Sequence, residues 1–376
     1  QGQAMHVVGL LPGAYRGLQP IKYGPFLQAL GAEIGAVDLW NVEPSQLDRL
    51  WIAARTFGPD KARFRARFYA SPLAFRARTR TVNRLSADNA AVDAVLQFGT
   101  TCDAGQAAAK WPLVIYTDYS IVLTRELGRS YRLLLTDAQI DACIALERAA
   151  LGRADAICTR SHLVADALHS MMGVPADRLR VVGAGPNIIG EGERHRPPRL
   201  LFFGAEFRRK GGDLVLAAFQ ALRRDFDWLE LDIVGGPPPG ALPPGVTVHM
   251  GISPTQVARL FGQASILLAP SRFETWGDVI VEAMASGTVP VVADLPPMTE
   301  IVTHGTDGLV VPREDANALA AAVRDLIRDP DTLARLSKAA RDRVAVDLNQ
   351  QAVAAKVAET LREAVRDRRS GWKPTG

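Results

Sequence analysis

The chain has 376 residues, of which 48% are hydrophobic and 22% charged, with a formal net charge of +4. That balance is the one expected of a soluble globular chain long enough for two domains, and no repeat of solenoid period is present. No segment reaches the apolar length of a bilayer span, and the first residues lack a signal-peptide layout. The three cysteines, Cys102, Cys143 and Cys158, show no CxxC spacing, so a disulfide framework or zinc site is not expected and a reducing, cytoplasmic setting is.

Buried strands alternate with amphipathic helices, the pattern of an α/β fold. Met5 to Leu11 reads as a strand, Tyr23 to Leu30 as a helix and Glu33 to Leu39 as a second strand. Between Lys61 and Arg84 lie Arg63, Arg65, Arg67, Arg76, Arg78 and Arg80 with no Asp or Glu. Such a block favours an acidic partner, and a peripheral contact with an anionic membrane or a charged acceptor suits it. A merely solvated face is the competing reading. Arg76, Arg80 and Arg84 are spaced for one helical face, whereas Arg63, Arg65 and Arg67 alternate with Phe64, Ala66 and Phe68. No nucleic-acid motif accompanies the charge.

Strands are expected at Ala94 to Phe98 and Leu113 to Tyr116, a helix at Ile140 to Leu151 and a strand at Ala156 to Cys158. Ser161 is placed to cap a helix from Leu163 to Met172, and Leu179 to Val182 closes the first half. The first domain is expected over residues 1–187, with a Gly/Pro-rich linker at 188–198. The pattern restarts with a strand at Arg199 to Phe203, a helix at Gly212 to Arg224 and strands at Leu229 to Val234 and Val246 to Met250. Ser253 caps a helix to Phe261, and Ala264 to Ala269 is a strand. Val279 to Ala285 reads as a helix ended by Gly287, before a strand at Val289 to Val292. Helices at Ala316 to Arg328 and Thr332 to Val344 complete a second domain over 199–349. A terminal helix follows at Gln350 to Arg368.

Two stretches carry the chemistry. Ser271-Arg-Phe-Glu274-Thr-Trp276-Gly277-Asp278-Val279 leads through Glu282 to Gly287, placing two carboxylates beside a helix start. A carboxylate accepts hydrogen bonds from two neighbouring sugar hydroxyls, and a helix N-terminus offers N–H groups to a diphosphate. Gly277 lets a ligand approach the backbone. The second stretch is Gly204-Ala-Glu-Phe-Arg208-Arg209-Lys210-Gly211, at the carboxyl end of a strand, where Arg209 and Lys210 can neutralise a departing diphosphate. The histidines offer no convincing base. His249, which ends a strand next to Met250-Gly251-Ile252, is the remaining candidate among them.

These residues resemble the signature of retaining GT-B glycosyltransferases of family 4, often called group 1. The match runs through Glu274, Glu282, Ala283, Ala285, Gly287 and Pro290-Val-Val292, continues in Glu300-Ile-Val302 and Gly308-Leu-Val-Val-Pro312, and is weak in the first half. The resemblance implies a GT-B fold of two Rossmann-like parallel-sheet domains facing a cleft, the last helix crossing back to the first domain. It implies transfer of a sugar from a nucleotide-sugar donor, UDP or GDP type, to a hydroxyl acceptor, with retention and without a metal or other cofactor. In the family the clamp is a Gly, an adjacent Arg and a Lys six residues after the Gly. Gly204 and Lys210 match, Ala205 stands at the Arg position, and Arg209 is read as its substitute. By the same analogy Glu274 contacts the transferred sugar and Glu282 the ribose. Gly211, Trp276, Gly277, Asp278 and Val279 line the donor, and Met250, Gly251 and Ile252 form the base pocket. Asp118 stands where many members carry a His, and with Gln97 it is a candidate acceptor contact. A non-catalytic nucleotide-sugar binder, a GT-B epimerase and a phosphorylase remain as alternatives.

Overall fold

The computed structural model describes residues 4–14, 19–87, 92–126, 134–191, 197–236, 238 and 240–371. It resolves into two compact units: residues 1–183 with 353–376, and residues 184–352. The change of unit therefore falls just before the expected linker, of which residues 192–196 lie outside the described residues. The preceding stretch is tied into the second unit, since Gly190 N donates to Ser286 Oγ (2.6 Å) and Glu191 N to Ala258 O (3.0 Å).

The first unit is built on a six-stranded parallel sheet. Its strands are β1 (Met5–Leu11), β2 (Gly35–Asn41), β3 (Ala94–Phe98), β4 (Leu113–Thr117), β5 (Ala156–Thr159) and β6 (Leu179–Val181), in the order β2-β1-β3-β4-β5-β6. The inner strands of a parallel sheet are covered on both faces, which is why β1, β3, β4 and β5 are buried nearly throughout while the edge strands β2 and β6 are not. Val7, Leu96, Val114 and Cys158 face one layer, with Phe26, Leu30 and Ile34 of α1 (Gln19–Ile34). Val8, Val95, Leu113, Ile115 and Ile157 face the other, with Val164, Leu168 and Met172 of α8 (His162–Met172). Ser161 caps α8 as expected, accepting from Val164 N.

Three helices outside the expected strands and helices lie between β2 and β3: α2 (Gln46–Thr56), α3 (Lys61–Ala70) and α4 (Pro72–Ala87). The alternating Arg/Phe run lies on α3, which Asp60 caps by accepting from Ala62 N and Arg63 N. Its arginines spread around the helix. Arg76, Arg80 and Arg84 do share the exposed side of α4, while Arg78 turns inward.

The second unit repeats the design with β7 (Arg199–Phe203), β8 (Glu230–Val234), β9 (Val246–His249), β10 (Ile266–Ala269), β11 (Val289–Ala293) and β12 (Leu309–Val311). Their order is β12-β11-β10-β7-β8-β9, again parallel. Helix α11 (Asp278–Ala285) packs on one face, and α9 (Gly212–Leu222) with α13 (Ala316–Arg328) on the other. In each unit the strand order reverses beside the first strand, at β1/β3 and at β7/β10. The carboxyl ends at such reversals form the crevice where open α/β sheets bind ligands.

The terminal helix α15 (Gln350–Arg369) belongs from Val353 onward to the first unit. Val353, Val357, Leu361 and Val365 join its core, and Arg368 Nε donates to Asp155 Oδ1 at 2.8 Å.

Candidate active site

In the second unit, β7 and β10 lie side by side, so the loops leaving their carboxyl ends are neighbours. The first runs from Gly204 to Gly211 and the second from Pro270 to Gly277. Gly211 sits where they touch, with φ +77°, and a Cβ there would come within 2.2 Å of Pro270 O. Only glycine satisfies both the left-handed backbone and that approach.

Lys210 Nζ ion-pairs with Glu274 Oε1 across this contact. The same oxygen accepts from Ser271 Oγ at 3.2 Å and lies 3.4 Å from Arg209 Nη1. Arg209 also donates from Nη1 to Phe273 O (2.8 Å) and from Nε to Glu206 Oε2 (2.8 Å). Burial works against its charge, but Glu206 and Glu274 outweigh it and hold its pKa above the usual arginine value. The sequence-predicted pair Arg209/Lys210 and the sequence-predicted Glu274 are thus one cluster, 64 residues apart in the chain. Gly204 ends β7 behind it, where a Cβ would meet the Phe202 ring at 2.5 Å.

Gly277 is the N-cap of α11 with no side-chain cap, so the helix start turns backbone rather than side chain toward the cluster. Lys210, Ser271, Glu274, Gly277 and Val279 line a recess of about 20 Å³, the room of a single water. Trp276 is buried, and its indole Nε1 finds no acceptor among the described residues. Glu282, one turn into α11, is 7% exposed. Burial, with Asp278 adding, pushes its carboxyl up to about 8, against hydrogen bonds from the backbone of Asn187 and Ile188 and from the Asn187 side chain. Met250 and Gly251 follow β9 at the same end of the sheet, two strands along from β7. Met250 is exposed, and Gly251 is left-handed at φ +61°. His249 Nε2 lies 2.7 Å from Asp232 Oδ1, whose other oxygen takes Arg199 Nε at 2.7 Å, so this histidine is held by its neighbours.

A residue without an assigned role organises both loops. Arg272 binds Asp213 and Glu314 bidentately, at 2.7 and 2.9 Å and at 2.7 and 2.7 Å. It also donates from Nη1 to Arg208 O, and its backbone N to Arg209 O at 2.8 Å. The two carboxylates hold its guanidinium pKa above the ordinary value. Glu314 is the non-glycine residue with positive φ among those described, at 57°. The sequence offered Arg272 inside the motif but gave no sign of partners 59 and 42 residues away.

In the first unit a cavity of about 700 Å³ opens at the β1/β3 reversal, lined by Pro12, Gly13, Lys22, Gly99, Arg78 and Asp118 among others. Asp118 meets Lys22 Nζ at 2.8 Å and Arg160 Nη1 at 3.9 Å. Burial raises its pKa, but the two cations outweigh that and hold the carboxyl well below the usual range. Gln97 faces inward instead. It is fully buried, and its amide donates to Gly99 O (2.9 Å) and Cys102 O (3.0 Å), shaping the loop after β3.

Residues 187–343 match the sequence profile of the family described as glycosyl transferases group 1. The second unit is a group 1 glycosyl transferase domain. The relatives of that domain include the glycogen synthase of Mycobacterium tuberculosis, 28% identical over 240 residues (60% of this chain, 58% of that protein). The D-inositol 3-phosphate glycosyltransferase 1 of Catenulispora acidiphila is 31% identical over 226 residues (52% and 54%). The GDP-mannose:cellobiosyl-diphosphopolyprenol alpha-mannosyltransferase of Xanthomonas campestris is 31% identical over 168 residues (41% and 44%). The chain thus spans about half the length of the curated relatives it matches.

Solved structures extend the likeness to the fold of the whole chain. Sucrose-phosphate synthase from Thermosynechococcus elongatus superposes with a TM-score of 0.71 at 19% identity, covering 96% of this chain and 99% of that one. WaaG, a glycosyltransferase of lipopolysaccharide biosynthesis, gives 0.65 at 17% (94% and 99%). Anabaena HepE, solved with UDP and glucose, gives 0.62 at 15% (96% and 100%). The group 1 domain and its partner unit together have the GT-B fold.

Proposed function

We propose that this chain is a retaining glycosyltransferase that moves a sugar from a UDP- or GDP-type nucleotide sugar to a hydroxyl acceptor. The observation that carries this reading is the cluster of Lys210, Arg209 and Glu274 beside the uncapped start of α11, at the β7/β10 reversal. A diphosphate leaving group gains negative charge as its bond to the sugar breaks. Two fixed cations and a helix start meet that charge without reorganising, which is where electrostatic catalysis draws most of its strength. In this reading Glu274, shared between the cations and Ser271, accepts from sugar hydroxyls, and Glu282 hydrogen-bonds those of the ribose. With the countercharge supplied by side chains, turnover is expected to survive chelation of divalent metals. Front-face attack needs no protein nucleophile: the departing phosphate takes the acceptor proton, and the protein orients both partners.

The nucleotide sugars named for the relatives, GDP-mannose and the UDP-glucose bound to HepE, support the donor class. The acceptor belongs to the first unit in this reading, in the cavity beside Asp118. Locked between Lys22 and Arg160, Asp118 serves as a hydrogen-bond acceptor for a hydroxyl rather than as a proton-accepting base.

Calorimetry with UDP, GDP and ADP tests the donor site. One diphosphate is expected to bind at micromolar strength, and Lys210→Ala to weaken it by roughly tenfold or more, the worth of one charge-assisted contact. Equal binding by the variant, or no binding of any diphosphate, would overturn the assignment.

A further inference from the structure

The outer side of α2 is built the wrong way round for a helix facing water. Ile52 and Thr56 turn inward, Ile52 against Ala74 and Ala77 of α4. Leu47, Leu50, Trp51 and Ala54 fall at the i, i+3, i+4, i+7 spacing of one face, and that face is the exposed one. Leu47 is 80% exposed, Leu50 68% and Trp51 44%, and Phe57 just beyond the helix is 81% exposed. Single exposed apolar residues are ordinary; four large ones in eleven consecutive positions form a patch that calls for a partner.

The surroundings say which partner. Residues 46–87 hold ten Lys and Arg against two acids, Asp48 and Asp60, a net +8 in a chain whose total is +4. Arg55 lies over the Trp51 ring, 5.2 Å from its centroid. Lys61, Arg63, Arg76 and Arg84 are exposed on α3 and α4. Asp48 is occupied by an ion pair with Arg80, and Asp60 by the cap of α3. A second copy of so cationic a face would be repelled. Among the described residues no helix is long and apolar enough to cross a bilayer, so attachment here is to a surface.

We propose that α2, with the basic sides of α3 and α4, docks the protein on an anionic lipid surface. Leu47, Leu50, Trp51 and Phe57 enter the headgroup boundary and the arginines meet lipid phosphates. The indole is suited to that depth, with an apolar ring and a polar N–H. This inference does not depend on the glycosyltransferase reading.

Co-sedimentation of the full chain with phosphatidylglycerol-containing vesicles and with pure phosphatidylcholine vesicles tests it. The wild type is expected to bind the anionic vesicles alone, less as salt rises. Leu47→Ser/Leu50→Ser/Trp51→Ser is expected to abolish binding. Arg63→Gln/Arg76→Gln/Arg84→Gln is expected to weaken it on the order of a hundredfold, as for three surface cations. All six positions are solvent-facing, so unchanged far-UV dichroism and melting are expected. Should the apolar variant misfold, Leu50→Ser alone replaces it, with a measurable loss still expected. Binding to neutral vesicles as strong as to anionic ones, no binding at low salt, or full binding by either triple variant would overturn the proposal. So would a wild-type dimer that the apolar variant dissolves while vesicle binding persists.

Discussion

Glu282 carries a cost that the fold tolerates. Its carboxyl is buried in α11, and its pKa stands at about 8 against an ordinary 4.5. The folded state therefore holds a proton that the unfolded chain releases once the pH passes 4.5. The sign follows directly: the contribution is fully present below about 4.5, is lost progressively as pH rises toward 8, and is constant beyond. Glu282→Gln keeps the shape of the neutral acid and removes the titration. The variant is expected to match the wild type at pH 4 and to exceed it at pH 8.5 by on the order of 1–3 kcal/mol. Urea midpoints at the two pH values check this, and parallel curves for the two proteins would show that Glu282 ionises freely in the fold. A buried carboxyl whose contribution to stability is lost as the pH rises above 4.5 points to binding as its role.

At the scale of the element, the two loops of the group 1 domain are held by Arg272 rather than by the residues proposed to touch substrate. One guanidinium spans Asp213 at the start of α9, Glu314 before α13 and the carbonyl of Arg208. Glu314 holds a left-handed backbone, unfavourable for its side chain, while supplying one of those carboxylates. Glu314→Gly relieves the backbone and deletes the carboxylate together. Its stability is expected to stay within about 1 kcal/mol of wild type, strain relief offsetting a half-exposed ion pair. Turnover is expected to fall roughly tenfold, because Arg209 and Lys210 lose their fixed position. Arg272→Lys is expected to lower turnover further, since an ammonium cannot span two carboxylates. Melting temperatures measured beside kcat separate the cases, and a parallel loss of both would make Arg272 merely structural. The sequence made the loops legible and the hub illegible for one reason. Strands and helices announce themselves through the spacing of apolar residues, as at β7 and α13, whose bounds were read directly. A contact between Arg272 and Asp213 leaves no local trace. The same holds for Lys22 with Asp118, 96 residues apart. Helix α3 was obscured differently: alternating Arg and Phe resemble a strand pattern, and the cap at Asp60 is a weaker signal than periodicity.

For the whole molecule, the informative segment is the last helix. Its first residues belong to the second unit, while from Val353 it supplies the core of the first, where Val353, Ala354, Val357, Ala358 and Leu361 are 0% exposed. Periodicity identified the helix and the family resemblance gave its destination, which the fold bears out; periodicity alone could not, because an apolar face does not name the surface that covers it. The first unit is therefore discontinuous in sequence, and a chain ending at Ala352 lacks part of that core. The second unit, residues 184–352, lacks nothing of its own. Truncation after Ala352 is expected to abolish the cooperative unfolding of the first unit while nucleoside diphosphate binding by the second persists. Leu361→Ala in the full chain is the milder probe, expected to cost about 2–5 kcal/mol through the cavity it leaves. Scanning calorimetry of the three proteins, with calorimetric titration of the diphosphate, decides it. If the truncated chain kept both unfolding transitions, α15 would be an accessory to a self-sufficient first unit. If it lost diphosphate binding as well, the donor site would need the first unit. The residues that build the cluster, from Gly204 to Glu274, and Glu282 with its partners Asn187 and Ile188 all lie inside 184–352, which is the physical ground for expecting neither.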